Sequence, residues 1–263
     1  TMHPIYSYAA VTDAREGLIL TNIETLADFN PRNNFLSRDL VFNPDGLLDG
    51  AVHAFFAGHL LYVSAKAGLV VLDLDVPLEP KLVTVIPLEG ARAAAQQFRY
   101  VFALDARGLQ VIDVPTPRQP RLVPGGRLEL PEAHRLYLAR TYAYVAAGKD
   151  GLVVIDIGRP ESPRELLRTD GGGRLEDARD VVVGTTNASL FAYVADAVSG
   201  LSVLQLTSPD LNPKFYGFSP VPNPELVAWY GTPGGALSLS RGLERDRAVD
   251  ETGHQIAVFG RIG

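Results

Sequence analysis

Short apolar runs separated by clusters of Gly, Asp, Ser and Pro recur along the chain. One unit reads Tyr142-Ala-Tyr-Val-Ala146, then Ala147-Gly-Lys-Asp-Gly151, then Leu152-Val-Val-Ile-Asp-Ile157, then Arg159-Pro-Glu-Ser-Pro163. The same order returns at Tyr62–Leu74 with Pro77 and Pro80, at Phe102–Val114 with Pro117 and Pro120, and at Tyr193–Leu206 with Pro209 and Pro213. Weaker copies lie at Tyr8–Ile23 and Arg247–Phe259. The marker glycines Gly17, Gly68, Gly108, Gly151, Gly200 and Gly253 stand roughly 40–50 residues apart, the length of a propeller blade and about twice that of a leucine-rich repeat.

Each part of the unit predicts an element. The aromatic and β-branched run is a strand. The polar cluster is a hairpin turn in which glycine takes a positive φ. The second run is continuously apolar, as expected of a strand buried on both faces between stacked sheets. Proline then ends it, because it cannot donate to a ladder. A further strand follows, as at Lys81–Ile86 and Arg121–Val123, and a short run precedes each aromatic strand, as at Val52–Phe56, Ala133–Leu138 and Asp180–Val183. Four strands per repeat predict an all-β fold: a β-propeller of six blades of four-stranded antiparallel sheet, with five or seven as alternatives. The incomplete terminal copies leave two closures open. The N- and C-terminal strands share one sheet, or a strand comes from elsewhere. No long amphipathic helix is predicted; Glu225–Tyr230 and Ser240–Arg247 are the only stretches that fit a short one.

The repeated unit, Tyr-x-Val-Ala followed by Gly-Leu-x-Val-Ile-Asp and two spaced prolines, resembles the LVIVD repeat of prokaryotic β-propeller proteins. The likeness is strongest from about residue 51 to 213, while residues 24–50 and 214–246 depart from it. Ala91-Arg92 and Ala178-Arg179 match the Ala-Arg pair that often enters the innermost strand; Ala133-His134 and Ala51-Val52 do not. The resemblance implies the fold. It also implies a secreted or cell-surface protein of a prokaryote, often one module of a longer chain, so residues 1–263 are expected to form a single propeller domain. No catalytic residue set travels with the repeat.

Composition narrows the chemistry. A hydrophobic fraction of 46% supplies a core, and a net charge of −6 without basic runs argues against nucleic acid. No cysteine is present, which excludes disulfides and thiolate metal sites within this sequence. No apolar stretch is long enough to span a membrane as a helix.

Candidate chemistry is sparse. The histidines show no His-x-x-x-His spacing. His53 and His134 hold near-equivalent places in two repeats, where a channel-mouth metal site would need a third ligand that the other repeats do not offer. Asp73, Asp113 and Asp156 recur after the second strand, and Asp105, Asp196 and Asp250 recur in the hairpin. A residue repeated in every blade is expected to cap turns, not to catalyse. Arg92, Arg135 and Arg179 enter innermost strands and would ring one opening of the channel. They form either an anion-binding ring or pins to carboxylates of neighbouring blades. The departures from the repeat carry Phe29, Phe35, Phe215, Tyr216, Phe218, Trp229 and Tyr230, a composition that suits either an interface or the filling of irregular blades. The reading is a non-catalytic interaction scaffold that binds a protein partner or other domains of its own chain, with no cofactor and no metal. A channel hydrolase or lyase, or a binder of small anions or carbohydrates through the axial Arg and His residues, is the alternative.

Overall fold

The computed structural model describes residues 7–26, 30, 32–186, 189–210, 212 and 219–240. Nineteen strands lie among them, in five antiparallel sheets. The first sheet pairs β1 (Tyr8–Asp13), β2 (Gly17–Asn22) and β3 (Ser37–Phe42). The second orders β4 (His53–Ala57), β5 (Leu60–Ala65), β6 (Gly68–Asp73) and β7 (Lys81–Ile86). The third orders β8 (Ala93–Gln97), β9 (Tyr100–Leu104), β10 (Gly108–Asp113) and β11 (Arg121–Glu129). The fourth holds β12 (Arg135–Ala139), β13 (Tyr142–Ala146), β14 (Leu152–Asp156) and β15 (Arg164–Thr169). The fifth holds β16 (Ala178–Thr186), β17 (Ser189–Asp196), β18 (Gly200–Thr207) and β19 (Glu225–Tyr230).

Five sheets, not the expected six, therefore make up the described fold. The sixth repeat, at Arg247–Phe259, lies outside the described residues. Glu225–Tyr230, which the sequence allowed as a short helix, is strand β19, because it pairs along the outer edge of β18.

The sheets follow one another around an axis. Innermost strand β4 packs on β8, β8 on β12, and β12 on β16. Apolar cores fill the four spaces between consecutive sheets. Their walls are the second and third strands of each repeat, so Tyr62, Phe102 and Tyr144 are almost fully buried. That placement explains why the Leu-x-Val-Ile run is apolar on both faces.

The marker glycines open the third strands. Gly68 has φ +119, and a Cβ there would stand 2.3 Å from the carbonyl oxygen of Ile86. Only glycine allows the outer strand to close so tightly on the hairpin.

Four of the repeated aspartates behave as turn caps, while Asp113 pairs with the Arg99 guanidinium and Asp250 lies outside the described residues. Asp105 Oδ1 accepts the N–H groups of Arg107 and Gly108, and Asp196 Oδ1 accepts those of Val198 and Ser199. At the other end of the sheets, Asp73 accepts the N–H of Asp75 and Asp156 that of Gly158. Each bond satisfies a turn N–H two or three residues on.

Candidate functional sites at the two ends of the axis

All inner strands run in the same sense, so the molecule has two distinct ends. At one end the chain enters the inner strands. At the other it turns back through two-residue hairpins.

The entry end carries His53, Arg92, His134, Arg135 and Arg179. Register sorts them into two rows. His53 pairs with Ser64, Ala93 with Leu104, and Arg135 with Ala146, so these three positions are equivalent. Val52, Arg92 and His134 stand one residue earlier. His53 and His134 are thus one register step apart, and a single step turns a side chain to the opposite face. They do not converge on one ligand. Among the described residues no group of three His, Asp or Glu side chains is close enough to share a metal ion.

The guanidinium groups face inward to backbone. Arg92 Nη1 donates to the carbonyl oxygens of Pro131 and Ala133 in the next sheet, at 2.6 and 2.7 Å. Arg135 Nη1 donates to Arg92 O and His134 O, and its Nη2 reaches Val52 O at 3.0 Å. One side chain therefore ties three sheets together. Arg179 pairs with Asp177 at 2.5 Å and lies 3.4 Å from Nε2 of His134. Its Nε is buried without a partner among the described residues. Pins were one of the two expected roles, but Arg92 and Arg135 fasten to backbone carbonyls where carboxylates had been expected. The inner strands begin here, and their first carbonyls lack ladder partners.

These surroundings keep the histidines neutral. Burial, and then the nearby Arg135 charge, push His53 down to a pKa of about 3. Its Nδ1 accepts the N–H of Ala94 from the adjacent sheet at 3.4 Å, at the limit of a hydrogen bond. His134 is also pushed down, first by burial and then by Arg179 and Arg92, with partial relief from Asp177 and Glu132. Burial lowers Arg135 as well, and Asp180 opposes that.

The hairpin end was not legible as a site. Its inner turns have Gly58, Phe98 and Arg140 in equivalent places, all at positive φ, with Phe98 at +53. Phe98 is 89% exposed. Gln96 Nε2 donates to Phe98 O, and Gln97 Nε2 donates to Arg140 O, both at 2.8 Å. The turn is thereby fastened to its neighbour. Beside it, a cavity of about 420 Å³ opens between the second and third sheets, lined by Phe55, Phe56, Tyr62, Gln96, Val114 and Pro117. Phe55 and Tyr62 stack at 4.7 Å along one wall. Exposed Arg118, Arg140 and Arg159 belong to the same end. The sequence signal for this end was a phenylalanine in a turn where the sister repeat has Gly58.

The aromatic candidates scatter. Phe35 is 75% exposed ahead of β3, and Tyr230 is 69% exposed on β19. Trp229 donates from Nε1 to Ser199 O at 2.7 Å, and the Arg174 guanidinium lies 4.2 Å from its ring centre. It is held in place on the outer strand. Phe29, Phe215, Tyr216 and Phe218 lie outside the described residues.

Comparison with known proteins bears on the fold. The family model described as the LVIVD repeat matches residues 132–170. No curated protein matches the chain. Among solved structures, the chain is similar to a protein from Lactobacillus plantarum (TM-score 0.60, 12% identity, 86% of this chain and 67% of that one). It is similar to the periplasmic gluconolactonase PpgL of Pseudomonas aeruginosa (0.58, 14%, 87% and 72%). It is also similar to the β-propeller domain of Cps50 (Swd1) from Myceliophteria thermophila (0.54, 8%, 88% and 71%). The chain spans 57% and 60% of the lengths of the first two structures it matches.

Proposed function

Since this chain is a β-propeller carrying the LVIVD repeat, we propose that it is a non-catalytic interaction module whose contact surface is the hairpin end. The observation that carries this reading is Phe98. A left-handed backbone costs a bulky residue on the order of 1 kcal/mol or more, and a phenylalanine almost fully in water returns no burial to the fold. Such a residue is retained for what it touches. The adjacent aromatic-walled cavity accepts an apolar anchor, and the exposed arginines of the same end favour a partner that also carries acidic residues.

At the entry end, Arg92 and Arg135 are bonded to neighbouring sheets and His53 is locked neutral. That arrangement supports a structural role there rather than hydrolysis or capture of a small anion. The resemblance of the repeat to that of exported prokaryotic proteins supports a module that works outside the cytoplasm, either as part of a longer chain or beside a protein partner. Among the described residues no helix is long and apolar enough to cross a membrane.

The test compares wild type with Phe98→Gly, both immobilised and exposed to the same extract of the source cell. A protein retained by wild type and depleted about tenfold or more by the variant is expected, given the energy of an aromatic hot spot. Equal retention overturns the reading. Turnover of a lactone that is abolished by His134→Ala, with the fold intact, would establish a channel hydrolase instead.

A further inference from the structure

The cavity at the hairpin end sits where the register places an amide in a series of apolar side chains. Ala57 pairs with Leu60, Gln97 with Tyr100 and Ala139 with Tyr142, so these three inner-strand positions are equivalent. One residue earlier stand Phe56, Gln96 and Leu138. Phe56 packs into the core between the first and second sheets, and Leu138 into the core between the third and fourth. On the same face two residues before, Ala94 stands where the fourth sheet has Leu136. The third sheet thus presents a methyl group and an amide where the fourth presents two leucines. The cavity of about 420 Å³ opens beside the amide, within the roughly 300–1,000 Å³ of ligand pockets.

The amide is only half satisfied. Gln96 Nε2 donates to Phe98 O at 2.8 Å, while Gln96 Oε1 is buried and has no hydrogen-bond partner among the described residues. A buried acceptor without a donor is costly to the fold, and an apolar residue of similar shape avoids that cost. Among the side chains lining the cavity, Oε1 is the one buried polar atom left unpaired. Around it stand Phe55 stacked on Tyr62 at 4.7 Å, with Leu60, Val114 and Pro117.

This lining suits an apolar, flat group that carries one donor. An aliphatic or phenylalanine anchor would leave Oε1 unpaired. A sugar would bring many hydroxyls to an apolar wall. A tyrosine hydroxyl is an acceptor as well as a donor. The indole of tryptophan has one N–H, no acceptor, and a broad ring that packs on aromatic walls. Tryptophan is also among the side chains that most often carry the binding energy of an interface.

We propose that the cavity is the socket for a tryptophan side chain of the partner, its indole N–H donating to Gln96 Oε1. This rests on the reading of the hairpin end as the contact surface, and it names the anchor. The last side-chain torsion of glutamine is broad, so the oxygen turns towards an incoming donor at little cost. Exposed Arg118 and Arg140 at the same end favour a partner segment that also carries acidic residues.

The test uses two capped peptides, each with one central aromatic residue among aspartates. One carries tryptophan. The other carries benzothienylalanine, which keeps the shape of the ring and replaces its N–H with sulfur. Titration calorimetry on the full chain is expected to show the tryptophan peptide binding about tenfold tighter, the worth of one buried hydrogen bond. This comparison needs no variant. Gln96→Met keeps the length of the side chain without its amide, and is expected to bring the two affinities together while retaining a cooperative thermal transition. Equal affinities for wild type, no saturable binding of the tryptophan peptide, or a preference that persists in Gln96→Met each overturns the proposal. A protein held by wild type, lost by Phe98→Gly and still held by Gln96→Met would overturn the tryptophan socket alone and leave the hairpin-end surface standing.

Discussion

Single residues separate what the fold needs from what it tolerates. Phe98 occupies a left-handed position filled by Gly58 in the neighbouring sheet. Phe98→Gly is expected to leave the protein as stable or up to about 1 kcal/mol more stable, read as an unchanged or higher thermal midpoint. A clear loss would show that the ring supports the fold. Asp105 is the opposite case. Burial alone would raise its pKa, but the Arg127 hydrogen bonds at 2.7 and 2.9 Å and the N–H groups of Arg107 and Gly108 hold it below the usual range. Asp105→Ala would leave Arg127 without its partner beside the core and is expected to cost about 3 kcal/mol in denaturant unfolding. A cost below about 1 kcal/mol would place the pair in the class of exposed ion pairs. His53 gives a pH signature. It stays neutral in the fold down to about pH 3, while in the unfolded chain it takes up a proton below about 6.5. Its contribution is present above pH 6.5 and is lost as the pH falls towards 3. His53→Gln is expected to flatten the stability slope between pH 6.5 and 4.5, above the range where Asp13, Asp39 and Asp113 begin to protonate. An unchanged slope contradicts the burial of this ring.

Elements built from the repeat were legible because each carries its own chemistry. The apolar run Leu152–Ile157 contains β14, the aromatic run Tyr142–Ala146 forms β13, and Gly151 supplies the positive φ between them. The capping aspartates were readable for the same reason, since an Asx turn is local. The partners of Arg92 and Arg135 were not readable. Their carbonyl acceptors lie some 40 and 80 residues away in sequence and meet only once the sheets pack. Six glycine-marked copies predict six blades, whereas five sheets lie among the described residues and the copy at Arg247–Phe259 falls outside them. Tyr8–Ile23 holds β1 and β2 of the first sheet. The last outer strand was obscured because Glu225–Tyr230 has no flanking turn signal of the repeat type, and its pairing with β18 is set by tertiary context. Trp229 stands there as a brace for the turn at Ser199. Trp229→Ala is expected to loosen that turn, with faster amide exchange at Val198–Gly200. Unchanged exchange would make the ring a surface contact alone.

The described residues of the molecule form five successive sheets around an axis, and the two ends differ in what they present. At the entry end, cations and imidazoles close the seams between sheets. At the hairpin end, an exposed aromatic and an open cavity face outward. Arg118, Arg140 and Arg159 at the hairpin end are exposed, whereas at the entry end Arg92 and Arg135 bond to backbone carbonyls. This division is most directly tested by thermal unfolding of wild type and of the Arg92→Gln/Arg135→Gln variant across a titration of inorganic phosphate. Specific binding to the folded state would raise the midpoint with concentration beyond a sodium chloride control of equal ionic strength. The account predicts no such excess for wild type, and a midpoint several degrees lower for the variant at every phosphate concentration, because carbonyls of three sheets lose their donors. A phosphate-dependent rise in wild type that disappears in a variant of unchanged stability would contradict it, and would make the entry end the binding site.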